Sequence, residues 1–282
     1  MREKRKKFRL NFYTGVWFIG IIIMFLIVII PIFIMFKYSI SDRASIIVPP
    51  GEPIPIWPYH PTFEMYKYIA GTKEFIGAGM MSLNIALATV CLSLILGTPA
   101  AFALVRYRIP GKALLLVLLI SIRLFPDVAS AVPITETFMK YHLMNAFGVC
   151  LAHTLLSLPY IIYIAMGVFE TIPKDLEEQA QILGASKFYA FTRIIIPVAL
   201  PGLAAAAIYA FLLSWNEFIF AYFLLFFSET YTLPVHLAKI MAWSPQHNVL
   251  ATISVVISIP VIIFTFIMQK YMKAGMMAGA VK

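Results

Sequence analysis

The chain has 282 residues, 61% of them apolar and 12% charged, with a mean hydropathy of +0.89. A water-soluble domain carries about 45–50% apolar and about 25% charged residues, so this balance excludes an ordinary soluble enzyme and fits several bilayer crossings. The net charge of +9 sits in short stretches beside apolar runs. That distribution reports membrane topology, whereas nucleic-acid binding calls for a basic stripe with exposed aromatics on a soluble surface.

The N-terminus carries Arg2, Lys4, Arg5, Lys6, Lys7 and Arg9 ahead of the apolar run Gly15–Phe36. That run is too long for a signal-peptide core and has no small-residue cleavage site, so it reads as an uncleaved first span. The loop from Lys37 to Gly79 follows, with Pro49, Pro50, Pro53, Pro55, Pro58 and Pro61 beside Trp57, Tyr59 and Phe63. Proline density predicts an ordered, extended cap, and the aromatics suit the membrane interface or an external partner.

Further spans are expected at Met80–Val105, Ala113–Pro133, Phe147–Phe169, Pro201–Leu225 and Val249–Met268. Their hydrophobicity is continuous, not alternating, which predicts helices and an all-α polytopic membrane protein with six transmembrane helices. Lys and Arg cluster before the first span, at 106–112, at 174–193 and at 270–282, and are sparser in the intervening loops. The positive-inside bias places both termini in the cytoplasm. The organisation is then a cytoplasmic N-terminus (1–14), a first span (15–36), an extracytoplasmic loop (37–79), a core (80–272) containing a cytoplasmic loop at 170–200, and a cytoplasmic tail (273–282). Cys91 and Cys150 lie in apolar runs without CxxC spacing and read as small buried hydrophobes.

Charges at membrane depth cost about 2.5–3.5 kcal/mol each, so each needs a partner or a polar path. Arg123 and Asp127 stand at i,i+4 in the third span, where helical side chains meet, with Pro126 between them to bend the helix. Mutual neutralisation and path lining are both open to them. Asn84 and His153 read first as interhelical hydrogen bonders, while Asn216 and Glu217 in the fifth span suit either path lining or helix-to-helix bonding.

The segment Glu170–Leu200 is hydrophilic at its start. Pro173 suits a first helical residue, Asp175, Glu177 and Glu178 complement the dipole of a first turn, and Gly184 suits a C-terminal cap. A second short helix is expected from Ala185 or Ser186 to Pro197, giving a helical elbow whose stripe Leu176, Ala180 and Leu183 must rest on something.

The run Glu178-Gln179-Ala180, then Gly184 after three residues, then Ile194, Ile196 and Pro197 after nine more, resembles the E-A-A-x3-G-x9-I-x-L-P signature of inner-membrane permease subunits of binding-protein-dependent ABC importers. Gln179, Ile196 and Leu183 depart from the usual residues at their positions. Met80–Asn84 with Ala86–Thr89, Ser214–Phe218 and the ending Ala278–Lys282 resemble the carbohydrate-uptake branch and its MalG-type subunit. The resemblance implies a type I importer permease in a prokaryotic inner membrane. In it Glu177, Glu178, Gln179, Ala180, Gly184, Ala185, Ile194 and Pro197 belong to a coupling helix seated on a cytoplasmic ATPase. It further implies a second, larger permease subunit, two ATP-binding subunits that hold ATP and Mg, an extracytoplasmic solute-binding protein, a sugar substrate and alternating access. The tail from Lys273 to Lys282 is expected to reach towards the ATPases.

No G-x-x-x-x-G-K-[ST], H-E-x-x-H or G-x-S-x-G occurs in the chain. It therefore reads as a transport subunit with no ATPase site or bound cofactor of its own, powered by partners or by an ion gradient. A secondary transporter would have to build its relay from Glu217 and Asp127. A lipid-linked glycosyltransferase would have to use Asp175, Glu177 and Glu178.

Overall fold

The computed structural model describes residues 2–46, 51–243 and 246–279, and every regular element among them is helical. Among the described residues five helices are long and apolar enough to cross a bilayer, or six if one sharply bent pair counts as a single span. The chain divides into two compact units, one formed by residues up to Gly71 with Ile240–Ile257, the other by Thr72–Lys239 with the residues from Ser258 onward.

In the first unit, α1 (Arg2–Ser39) is followed by α2 (Arg43–Ile46) and α3 (Glu64–Gly71). The stretch Thr14–Ser39 buries none of its most apolar window within this chain. Beyond it the proline-rich loop is tied down. Lys37 donates to the Pro55 carbonyl, Thr62 N–H to Ile40 O at 2.8 Å, and Tyr59 N–H to Ser45 Oγ at 2.9 Å. The Ser39 and Tyr66 hydroxyls meet at 2.7 Å, and Thr252 Oγ1 donates to Ser39 O at 3.2 Å. Trp57 packs its ring 6.3 Å from Phe33, while Tyr59 and Phe63 stay exposed.

The second unit is built on α4 (Lys73–Arg106), α7 (Ala146–Thr171) and α10 (Ile196–Asn216). α4 begins ahead of the expected Met80. Small residues let the helices close up, because membrane association depends on packing rather than on water exclusion. Ala199, Ala206 and Ala210 of α10 are fully buried, and a Cβ at Gly202 would stand 2.6 Å from Val168 of α7. Two apolar clusters lie along the bundle. One gathers Ile85, Val149, Leu156, Phe220 and Leu224; the other gathers Leu104, Ile162, Phe169, Ile195 and Leu203. Cys150 is buried as expected, but Cys91 is exposed on α4, a correction to the expectation that both would be buried.

The expected third span breaks. α5 (Lys112–Ser121) runs into a 3₁₀ turn at Ile122–Leu124, and α6 (Asp127–Lys140) departs at 98°. Phe125, preceding a proline, is pushed to an extended conformation (ψ 136°), and Pro126 lacks the N–H that would carry the helix through. The sequence predicted a bend within one helix; the structure makes two helices, with Pro133 accommodated inside the second.

The fifth helix corrects the sequence reading in the opposite direction. α8 (Asp175–Ile182) and α9 (Lys187–Ala190) form the elbow, but nothing stops at Pro197. A π-helical turn at Phe191–Ile195 joins α9 to α10, and the run Lys187–Asn216 is one apolar helix. Pro197 falls in the first turn of α10, beside a turn already wound with a wider repeat, where a missing N–H is tolerated. That helix ends at Asn216, short of the expected Leu225. α11 (Ile219–Leu224), α12 (Leu233–Trp243) and α13 (His247–Gly279) complete the order. α13 carries the start of the expected tail, whose residues 280–282 lie outside the described residues.

Candidate functional site: the elbow and the polar layer

The elbow is built as its sequence dictates. Asp175, Glu177 and Glu178 occupy the first turn of α8. Gly184 adopts φ +87°, Gly184 N–H donates to Gln181 O and Ala185 N–H to Ala180 O, each at 3.0 Å. This paired closure ends a helix by turning the chain through a left-handed residue that glycine alone occupies freely. Ser186 restarts it, its Oγ accepting from Tyr189 N–H at 3.2 Å. Ala180 is buried and Leu176 packs on the cluster around Phe169. Leu183 is not part of that buried stripe: it is 88% exposed, as Ile182 is 83% exposed, so the tip offers apolar surface outward.

Among the residues predicted for coupling, Glu178, Gln179, Gly184 and Pro197 are exposed, while Ala185 and Ile194 are half-buried. Glu177 turns inward. Its Oε1 accepts from Arg106 Nε, and Arg106 Nη2 also donates to Ile172 O at 2.8 Å. Sequence reasoning counted Arg106 only towards topology; the structure uses it to pin the elbow to the end of α4. A cleft of about 340 Å3 lies beside it, lined by Arg106, Lys174, Glu177, Glu178, Gln181 and Lys187 among others.

A polar layer crosses the same bundle. His153, fully buried, meets Ser214 Oγ through Nδ1 and Glu217 Oε2 through Nε2, both at 2.8 Å. Glu217 also accepts from Phe220 N–H at 2.9 Å and Ala221 N–H at 3.1 Å, holding the start of α11. Ser214 Oγ donates to Thr89 Oγ1 at 3.3 Å, and Ser93 and Ser157 meet at 2.6 Å. Three helices are thereby cross-linked at the point where α10 ends. The sequence singled out His153 and Glu217 separately; Thr89, Ser93 and Ser214 were missed, since a hydroxyl in an apolar run carries no positional signal.

Arg123 and Asp127 do meet, Nη1 to Oδ1 at 3.0 Å, across the break between α5 and α6. The Arg123 guanidinium also lies 5.9 Å from the Tyr160 ring, which stands 4.7 Å from that of Tyr209. Asn84 is exposed on α4, contrary to an interhelical role inside this chain, and Asn216 spends its amide on Leu212 O of its own helix at 2.8 Å.

The chain is 33% identical over 253 residues to the trehalose transport system permease protein SugB of Mycobacterium tuberculosis, which covers 88% of this chain and 91% of that one. It is 31% identical to the galactooligosaccharides transport system permease protein GanQ of Bacillus subtilis (80% and 82% covered). To the trehalose/maltose transport system permease protein MalG of Thermococcus litoralis it is 28% identical (94% and 95%). Its fold matches a chain of a bacterial ABC transporter that imports the acidic polysaccharide alginate with a TM-score of 0.79, at 25% identity and 93% and 96% coverage. Residues 86–277, which contain the elbow and the polar layer, match the binding-protein-dependent transport system inner membrane component family, and the chain belongs to that family.

Proposed function

We propose that this chain is one permease subunit of an ATP-driven importer of a sugar or related carbohydrate. The observation that carries the reading is the elbow: a capped, rigid α8–α9 turn fixed to α4 by Arg106, with Ile182 and Leu183 presented outward. A short apolar-tipped helix of this kind fits a groove in another protein and moves as a body when that groove closes. The carbohydrates named for SugB, GanQ and MalG support the substrate class.

In this reading the elbow and both termini are cytoplasmic, two partner ATPases bind ATP and Mg, and a second, larger permease completes the path. A solute-binding protein delivers sugar from outside, and this chain makes or breaks no bond. Glu178, Gln179, Gly184, Ala185, Ile194 and Pro197 belong to the ATPase contact, with Glu177 and the buried Ala180 supporting it from within. Asn84, Arg123, Asp127, Asn216 and Glu217 belong to the path or to the polar network around it.

The test is Gly184→Trp in the assembled importer, reconstituted in vesicles and supplied with loaded binding protein. A side chain cannot follow φ +87° without strain, so the variant inserts normally but loses ATPase association or ATP-driven uptake. Undiminished ATP-driven uptake overturns the coupling assignment. Uptake that follows an imposed proton or sodium gradient without ATP overturns the importer reading in favour of a secondary transporter.

A further inference from the structure

We infer that Arg123, Asp127, Tyr160 and Tyr209 form a sugar-contact site on this subunit, with neutral pyranosides bearing adjacent free hydroxyls as its ligands. This rests on the importer reading and gives it a place where cargo touches this chain. The four residues come from three separate parts of the second unit: the break between α5 and α6, the middle of α7, and α10. Many secondary transporters place substrate sites where a spanning helix is discontinuous, and unwound backbone at membrane depth is tolerated in any fold only against protein or water.

The side chains match the ligand. Asp127 takes up one Arg123 nitrogen, Nη1, and Arg123 Nε is buried with no acceptor, so one carboxylate does not use the five donors of a guanidinium. Asp127 remains 39% exposed. The pair thus sets a donor with no protein acceptor beside a partly exposed acceptor, the arrangement that a vicinal diol meets with one hydroxyl accepting and the next donating. Because the pair is already internally neutral, it favours an uncharged sugar over an anionic one. Beside it the Tyr160 and Tyr209 rings stand 4.7 Å apart, tilted by 46° and partly buried, and their apolar edges suit packing against pyranose C–H faces. A few fixed polar groups beside aromatic faces is the usual composition of a small-molecule site. Lipid is a poor occupant for this face, given the cost of exposing an arginine and a carboxylate to hydrocarbon.

Two measurements test the site in the complete importer. In the first, initial uptake of the carried sugar is compared with that of its monodeoxy analogues, each delivered on saturated binding protein. Asp127→Asn should compress the preference for the full sugar by about tenfold, since a group built to bond a hydroxyl penalises its loss. An unchanged preference with uptake intact overturns the site. In the second, Cys91 and Cys150 are replaced by serine and Tyr209→Cys is introduced. Sugar at about ten times its dissociation constant should slow labelling of that thiol about tenfold in the ATP-bound state, as mass action requires of an occupied site. Labelling at the same rate with and without sugar overturns the proposal, as does a thiol unreactive in every state, which would mean that the second permease covers this face. If Asp127→Asn does not assemble, the thiol measurement decides. A wild-type complex that imports no sugar at all with ATP defeats the parent reading instead.

Discussion

The elbow and the polar layer belong to one bundle and are held in opposite ways. The elbow closes on itself through the Gly184 turn and the Ser186 cap and is tied to the bundle at one point, Arg106, 71 residues before Glu177. Its outer face is unpacked, with Ile182, Leu183 and Phe188 each at least 76% exposed. The layer distributes its bonds among Thr89, His153, Ser214 and Glu217, whose partners lie 61 to 125 residues apart in the chain. The elbow is closed locally and tied to the bundle at one point; the layer that keeps three helices together is cross-bonded and hidden.

Four changes break or sharpen this contrast. The largest effect belongs to Arg106→Ala, which strands Glu177 and the Ile172 carbonyl; breaking a largely buried pair costs about 3–5 kcal/mol. The cost should fall on the elbow, with hydrogen exchange rising over residues 175–190, sugar moved per ATP falling, and exchange in α7 unchanged. Exchange rising equally in α7 would erase the distinction between the regions.

His153→Ala comes next. It leaves buried Ser214 and Glu217 each short of a partner, at about 1–3 kcal/mol, and should lower the thermal midpoint of the complex while sparing elbow exchange. His153→Gln, able to keep one of these bonds, should recover part of that loss. Smaller again, Ser186→Ala removes an exposed cap worth about 1 kcal/mol and should fray α9 without touching the layer, as seen by exchange at Tyr189.

The smallest concerns His236, on α12, whose ring lies 6.2 Å from that of Phe75. Burial holds its pKa below the ordinary histidine value, with Lys239 adding to the effect and Glu74 opposing it. The neutral form is therefore favoured when folded. Its contribution is complete above about pH 6.5, where the unfolded side chain is also neutral, and is lost progressively as pH falls below that value towards the lower folded pKa. The thermal midpoint should drop slightly more between pH 7.5 and 5.5 in the wild type than in His236→Phe.

What the sequence disclosed follows from the same contrast. The elbow was legible because its signals are local: an acidic first turn and Gly184 each act within one turn of helix, although Pro173, expected as the first helical residue, stands two positions ahead of α8. The exposure of Leu183 was not, since helical spacing placed it in line with Leu176 and Ala180 while the Gly184 closure swings it outward. The end of the second elbow helix was misplaced for a related reason. Pro197 normally stops a helix, and no pattern in Phe191–Ile195 announces the π turn that admits it. Arg123 and Asp127 were paired correctly by spacing, and Pro126 marks where the helix breaks, but the 98° angle of that break has no local signal. The contacts of His153 were beyond reach, because nothing local in α7 points to Ser214 or Glu217.

The continuation of one helix from Lys187 through the π turn to Asn216 has a mechanical consequence. Thirty residues at 1.5 Å each make a rod of about 45 Å, so a tilt of roughly 10° at the elbow end sweeps the far end through about 8 Å. A displacement comparable to the width of a sugar ring is thus available from a small swing at the base.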